Sequence, residues 1–416
     1  MSESQLKINN LVYTVPAKST LAVQKNDQKN YFDQRNYNAG QTIRCVLQTG
    51  SRYVNTFESQ LCFTATLSAE AGATASWANG SSINVIKNVR VYHKNGTELV
   101  NIQNQNVNQM IEDKAGRPKS WFDAVGNMAG YDAQNSATGL GTSSVAFRAD
   151  PLVGGNTLVQ IPLPCVAPIF NPEGKVLMPG PSLADGLILE IDLATSAEAI
   201  VRTGGAADVD LTINDIYLNL STTVLSDLAV GSLNENAANN LLEYSYIDTY
   251  TSRITQSAQN SVVSTSINKA VSMADHISVV EIEQSNRNNQ TADEFNMNAD
   301  TVSYQFTVGS IQLPSQVFVE GTRLGYKQLL KTYGTYAHNK SSAISYINYA
   351  VNLNAKTTSF SKDQMLAMSN MPINSSRSLR YEQKYDTPPS NPRVIYVFLH
   401  YLKVLQLSIT DVKVDI

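Results

Sequence analysis

The sequence predicts an all-β protein of two tandem sandwich or barrel domains with only minor helix. Three observations predict it. The chain has 416 residues, long enough for two domains of about 200 residues each. Most of it reads as short β-runs between Asn, Gly, Ser and Pro turns, the pattern of sandwiches and barrels. Finally, the alternation of Leu211, Ile213, Ile216, Leu218 and Leu220 returns at the end as Leu407, Ile409, Val412, Val414 and Ile416. Asp215 and Asp411 sit at the same phase slip. Such a repeat implies two copies of one β-domain, each closing on a long strand.

Composition narrows the function. Hydrophobic residues make up 42% of the chain and charged residues only 16%, below the roughly 25% usual for soluble domains. Uncharged polar residues fill the gap, with 39 asparagines. The apolar content argues against disorder. A net charge of −4 argues against sequence-specific or general nucleic-acid binding, which needs a basic footprint. Cys45, Cys62 and Cys165 are too few for a disulfide framework, and none has CxxC spacing. The start, MSESQLKINN, lacks the apolar segment of a secretory signal. No window approaches the ~18 apolar residues of a membrane span. Six N-x-S/T sequons occur, as chance supplies in so Asn-rich a chain without a signal peptide.

In chain order, 42–50 and 59–69 partly alternate apolar and polar residues and read as strands. Residues 83–100 read as a hairpin, its Lys94-Asn95-Gly96-Thr97 favouring a type I′ turn. Val107, Met110 and Ile111 fall at helical spacing and predict a short helix over 101–114. The glycine-rich 126–160 reads as a long surface loop. In 158–165, Pro162 and Pro164 demand an edge strand or a strand end. Residues 187–196 and 210–225 are strong strands, the second with a β-bulge at Asn214-Asp215. Beyond a weakly apolar connector, strands are expected near 246–256, 276–284, 300–309 and 311–319. Helical patches are expected near 322–333 and 361–369, and a Pro-rich loop over 381–393. VIYVFLHYL at 394–402 reads as a strand buried on both faces.

Sites of chemistry are scarce. His93, His276, His338 and His400 are scattered, without HxH or HExxH spacing. His400 reads as a satisfied core residue and His93 as a neighbour of the hairpin turn. GLGTSS at 139–144 lacks the Gly-Lys-Ser/Thr ending of a phosphate loop, and no GxSxG elbow occurs. Glu281 and Glu283, two apart on a strand, share one face and read as solvated. Arg377, Arg380 and Lys384 beside Glu382 and Asp386 suit a surface or inter-subunit salt-bridge patch. The 20 tyrosines suit either interfaces or half-buried sheet positions. No catalytic, cofactor-binding or metal-ligating residue is assigned, and no enzyme activity or cofactor is expected.

Four segments in order carry a resemblance: NYNAGQTIRCVLQTGSRYVNTFESQLCFTATL at 36–67, SSINVIKNVRVYHKNGTELVNIQNQNVNQMIE at 81–112, VQIPLPCVAPIFNPEGKVLMPGPSLADGLILEIDL at 159–193 and DLTINDIYLNL at 210–220. With the closing strands over 393–409, the chain resembles the double jelly-roll major capsid proteins of icosahedral double-stranded DNA viruses, in the lineage of polinton-like viruses, virophages and giant DNA viruses. The resemblance implies two tandem eight-stranded jelly-roll β-sandwiches with short helices in the connecting loops. It divides the chain into an N-terminal arm (1–35), a first jelly roll (36–225), a connector (226–245) and a second jelly roll (246–416). It implies a homotrimer forming a pseudo-hexameric block of an icosahedral shell, with penton and minor or cement capsid proteins as further partners and the virion as its location, after assembly inside the host cell. Low charge and abundant Asn, Ser, Thr and Tyr suit extensive permanent interfaces, which bury on the order of 2,000–5,000 Å². The arm carries only +2, too weak a charge to assign it genome binding. Two rivals remain at this point: a two-domain glycan-binding lectin or adhesin, and a tandem jelly-roll copper hydroxylase or glycosidase.

Overall fold

A computed structural model describes residues 22–68, 74–130, 156–174, 177–203, 208–239, 242–287, 289–290, 301–314, 319–333, 349, 353–360, 371–375, 377–408 and 412–415. The first half supplies eight principal strands: β1 (Ala22–Tyr31), β2 (Thr42–Val46), β3 (Tyr53–Leu67), β4 (Ile86–Tyr92), β5 (Glu98–Ile102), β6 (Asn156–Pro162), β7 (Ile188–Leu193) and β8 (Leu211–Leu225). The second half supplies β9 (Leu242–Gln256), β10 (Val262–Ile267), β11 (Val271–Glu283), β12 (Thr301–Val308), β13 (Ile311–Leu313), β14 (Lys356–Ser359), β15 (Leu379–Tyr385) and β16 (Arg393–Leu407). Three longer helices lie between strands: α1 (Gln105–Gly116), α2 (Asp227–Ala238) and α3 (Gly321–Thr332).

The first set forms two antiparallel sheets, ordered β1-β8-β3-β6 and β2-β7-β4-β5. The second set forms sheets ordered β9-β16-β11-β14 and β10-β15-β12-β13. Adding eight to each strand number of the first pair gives the second. Each pair has the strand order of a jelly roll, two interleaved Greek keys closed face to face. Short strands extend the sheets: Tyr37–Asn38 on β8, Met371–Ile373 on β11, Val319–Glu320 on β12 and Val412–Asp415 on β16.

Several expectations meet their outcome here. The bulge is present: the β8–β3 register shifts between Asn214 and Tyr217, and Asp215 adopts φ +50°. β6 lies at a sheet edge, where Pro162 costs no ladder hydrogen bond. Every residue of 394–401 is buried. The helix expected over 101–114 is α1. The 361–369 patch and most of the 126–160 loop lie outside the described residues.

Other expectations are corrected. Ala22–Tyr31 is not part of an arm but the first strand of the first roll, paired along β8. The expected connector carries α2, and β9 begins at Leu242. The hairpin turn is not type I′. Among its residues only Gly96 takes positive φ, at +88°, and the ladder shifts between Val91 and Tyr92. That is a type I turn followed by a glycine bulge, which leaves Asn95 in ordinary backbone space. The counterpart of β8 is β16, not 407–416. The final Val412–Asp415 folds back onto β16 as an added strand. β15 begins at Leu379, so the Pro-rich loop starts only after Tyr385.

The core is continuous between the two halves. Leu242, Tyr244, Tyr246, Leu405 and Leu407 of the second set pack with the first roll's interior. Conversely, Val107, Met110, Ile111 and Ala115 of α1 pack on Val280, Ile282, Val394, Tyr396 and Phe398 of the second. The seam between the rolls is therefore built like a core rather than a loose domain contact.

Candidate functional site

At this seam α1 meets the central β11–β16 pair. His276 and His400 are direct cross-strand partners. Their rings stack with centroids 4.0 Å apart and 6° between planes. Between Ala274 and His276 the β11 register shifts by one residue. Neighbours on a regular strand point to opposite faces, whereas a bulge re-aims side chains locally. Here the Asp275 carboxylate reaches the Nδ1 of His276 at 2.7 Å.

Glu112 arrives from α1. Its Oε1 lies 3.1 Å from His276 Nε2 and 3.4 Å from His400 Nε2. Tyr333, just after α3, donates its hydroxyl to the same oxygen at 2.9 Å. On its other side, His400 Nδ1 meets Thr249 Oγ1 of β9 at 3.2 Å. His400 is 3% exposed, and its Nε2 has no hydrogen-bond partner among the described residues. Beside the cluster lies a cavity of about 270 Å³, polar on the α1 side with Gln105, Asn108 and Gln109.

The three groups hold different charges. Burial alone would depress His276, but the facing Glu112 carboxylate and Asp275 outweigh it and lift the imidazole to about 9. Burial, reinforced by the charge on His276, pushes His400 down to about 3. Burial would raise Glu112, yet the imidazoles and the Tyr333 hydroxyl hold it down to about 2. Both imidazoles contribute, His400 first and His276 next, with His276 adding a hydrogen bond.

A pH dependence follows for the metal-free chain. His276 is raised on folding, so its contribution is complete below about pH 6.5 and is lost as pH rises toward 9. His400 is depressed, so its contribution is complete above about pH 6.5 and is lost as pH falls toward 3. Melting temperature in metal-free buffer is expected to fall on both sides of about pH 6.5. His400→Gln is expected to flatten the acid limb, and an unaltered acid limb in that variant contradicts the assignment.

Sequence reasoning missed this cluster. His400 is buried as expected, but it is unsatisfied at Nε2. Its partners come from the register of strands far apart in sequence and from a helix of the other roll. The available signals were the Asp275-His276 dipeptide and a titratable ring inside an apolar run. His93 sits at the hairpin turn as expected, fully buried, its Nε2 3.1 Å from the Ser182 carbonyl. Glu281 is not solvated. It is buried in the second roll, 2.8 Å from Lys356 Nζ, with Tyr385 donating to its second oxygen at 2.7 Å. Arg380 and Lys384 do flank Glu382 on the surface, at 3.7 and 3.6 Å. His338 lies outside the described residues.

The strand order also governs what the chain is similar to. No family model matches it, and no curated protein matches it in sequence. Solved structures do. The major capsid protein of Faustovirus matches with a TM-score of 0.63 at 8% identity, over 95% of this chain and 93% of that one. A chain of the PBCV-1 virus capsid matches with a TM-score of 0.61 at 10% identity, over 97% and 99%. The mavirus major capsid protein matches with a TM-score of 0.57 at 12% identity, over 97% and 92%. The chain has the double jelly-roll fold.

Within the double jelly roll, tyrosines stitch the seam. Tyr244 and Tyr246 donate to the carbonyls of Ile169 and Leu99, both at 2.7 Å. Lys403 donates to the same Leu99 carbonyl at 2.5 Å and to Asp248 at 3.1 Å, and Tyr401 donates to Asp248 at 3.0 Å. Tyr244 and Tyr246 thus serve contact between the two rolls of one chain, while Tyr401 braces Asp248 within the second. Among the described residues, no helix is long and apolar enough to cross a membrane.

Proposed function

We propose that the chain is a major capsid subunit that forms homotrimers and tiles an icosahedral viral shell. The observation that carries this reading is the pair of complete, equivalent jelly rolls joined by a core-like seam. One such chain presents two equal lobes, and three around a threefold axis make a block with six corners. Similarity to capsid proteins over nearly the whole chain supports the reading. So do exposed apolar residues on the edge strands of the first roll: Val23 and Tyr31 on β1 and Leu158 on β6. Unpaired edges with apolar side chains invite contact with another chain.

In this reading the function is the interface, no catalytic step is asked of the chain, and the virion is its location. Penton and minor or cement proteins are its further partners. The glycan-binding alternative is not supported, since the similar structures named above are capsid proteins. Sedimentation of the purified chain tests the proposal. The expected species is a trimer of about 136 kDa, three chains of 45.4 kDa. A stable monomer under native conditions contradicts it.

A further inference from the structure

We propose that Glu112, His276 and His400 hold one zinc ion that ties the first jelly roll to the second. This stands apart from the capsid reading and rests on the seam alone. Two imidazole nitrogens and one carboxylate oxygen form a donor set that zinc accepts, with a fourth position left to water. The three donor atoms lie within 4.8 Å of one another. Zinc bonds of about 2.0–2.2 Å place two donors of one tetrahedral ion about 3.3–3.5 Å apart. The carboxylate oxygen stands 3.1 and 3.4 Å from the two Nε2 atoms.

The surroundings suit a ligand role. Metal-bound histidines give their remote nitrogen to a carboxylate or another polar group, which fixes ring and tautomer. Asp275 and Thr249 occupy those positions on His276 and His400. Tyr333 similarly fixes Glu112. The second, independent observation is His400 Nε2 itself, a buried polar atom without a hydrogen-bond partner among the described residues. An orphaned atom of this kind costs stability unless something fills the gap. Thr249 can accept the Nδ1 proton, which leaves a lone pair on Nε2 facing the carboxylate. A cation between them turns that opposition into two bonds. Coordination requires the rings to open from their 6° stack so that both lone pairs converge, and both rings line the adjoining cavity.

The consequence is a cross-link. Glu112 belongs to a helix of the first roll and both histidines to the central strands of the second, so one ion would fasten the lobes together. Zinc rather than magnesium or calcium is specified, because imidazole nitrogen suits transition metals and the hard cations take oxygen.

The test uses untagged, full-length protein stripped with a chelator and dialysed against zinc chloride. Bound zinc is counted by atomic absorption, and melting is followed with and without zinc. The expected result is one zinc per chain, bound at least tenfold more weakly by Glu112→Gln and by His400→Gln, with a zinc-dependent rise in melting temperature that both variants lose. Magnesium chloride is expected to give no rise. Glu112 is partly exposed on a helix, so Glu112→Gln keeps the test decisive even if His400→Gln fails to fold. No retained zinc, or zinc retained equally by wild type and Glu112→Gln, overturns the proposal.

Discussion

Lys356→Met is expected to destabilise the second jelly roll by about 3–5 kcal/mol, because it leaves a buried carboxylate without its nearest cation. Glu281 and Lys356 are both almost completely buried between the two sheets of that roll. Burial opposes the charge on Glu281, but Lys356, Tyr385 and Gln383 reverse that and hold its carboxyl below the usual range. Arg393 stands farther off, its Nη1 3.9 Å from Glu281 and beyond hydrogen-bond reach. Adding Glu281→Gln to Lys356→Met removes the stranded charge and is expected to recover part of the loss. Urea unfolding of the wild type, both single variants and the double variant measures the coupling directly. A cost below about 1 kcal/mol for Lys356→Met would place this pair among the weak surface bridges, against its burial.

The second large effect is expected at the seam. Ile111 is fully buried where α1 lies on the second roll. Ile111→Ala removes its packing and leaves a cavity, at a cost of about 2–5 kcal/mol. The loss is expected to act on both rolls together, since residues of each complete the other's core. Calorimetry of the variant is expected to show one cooperative transition shifted downward. Two separated transitions, one unchanged, would mean that the rolls melt independently and that the seam is an ordinary domain contact.

The parts of the fold legible in the sequence are those that local chemistry dictates. The bulge at Asn214-Asp215 shows as a slip in alternation, and the structure has the slip and a positive φ at the same place. VIYVFLHYL must be buried on both faces, and it is the centre of β16. Pro162 confines β6 to an edge. Other elements are decided by pairing. β1, AVQKNDQKNY, shows no apolar alternation because neither of its faces packs into the core: Val23, Lys25, Asp27 and Lys29 are exposed and Asn26 and Gln28 only half-buried, so its pairing along β8 makes it a strand. The apolar pattern of 407–416 matches that of 211–220, but alternation is shared by many strands. The hydrogen-bond ladder instead pairs β8 with β3 and β16 with β11 as equivalents.

The candidate site was the least legible part, for the same reason. His276 and His400 face each other only through the register of two strands, and Glu112 reaches them only because the rolls dock. Glu281 illustrates the converse error. Two glutamates on one strand face suggest solvent, and Glu283 at the strand end does meet Asn391 at the surface, but Glu281 points between the sheets, where Lys356 on β14 and Gln383 and Tyr385 on β15 meet it.

Negative-stain imaging of the purified chain tests the capsid reading most directly. Single blocks with six corners and threefold symmetry, each made of three two-lobed subunits, are what the double jelly roll predicts. Uniform isolated two-lobed particles at every concentration tried would contradict it.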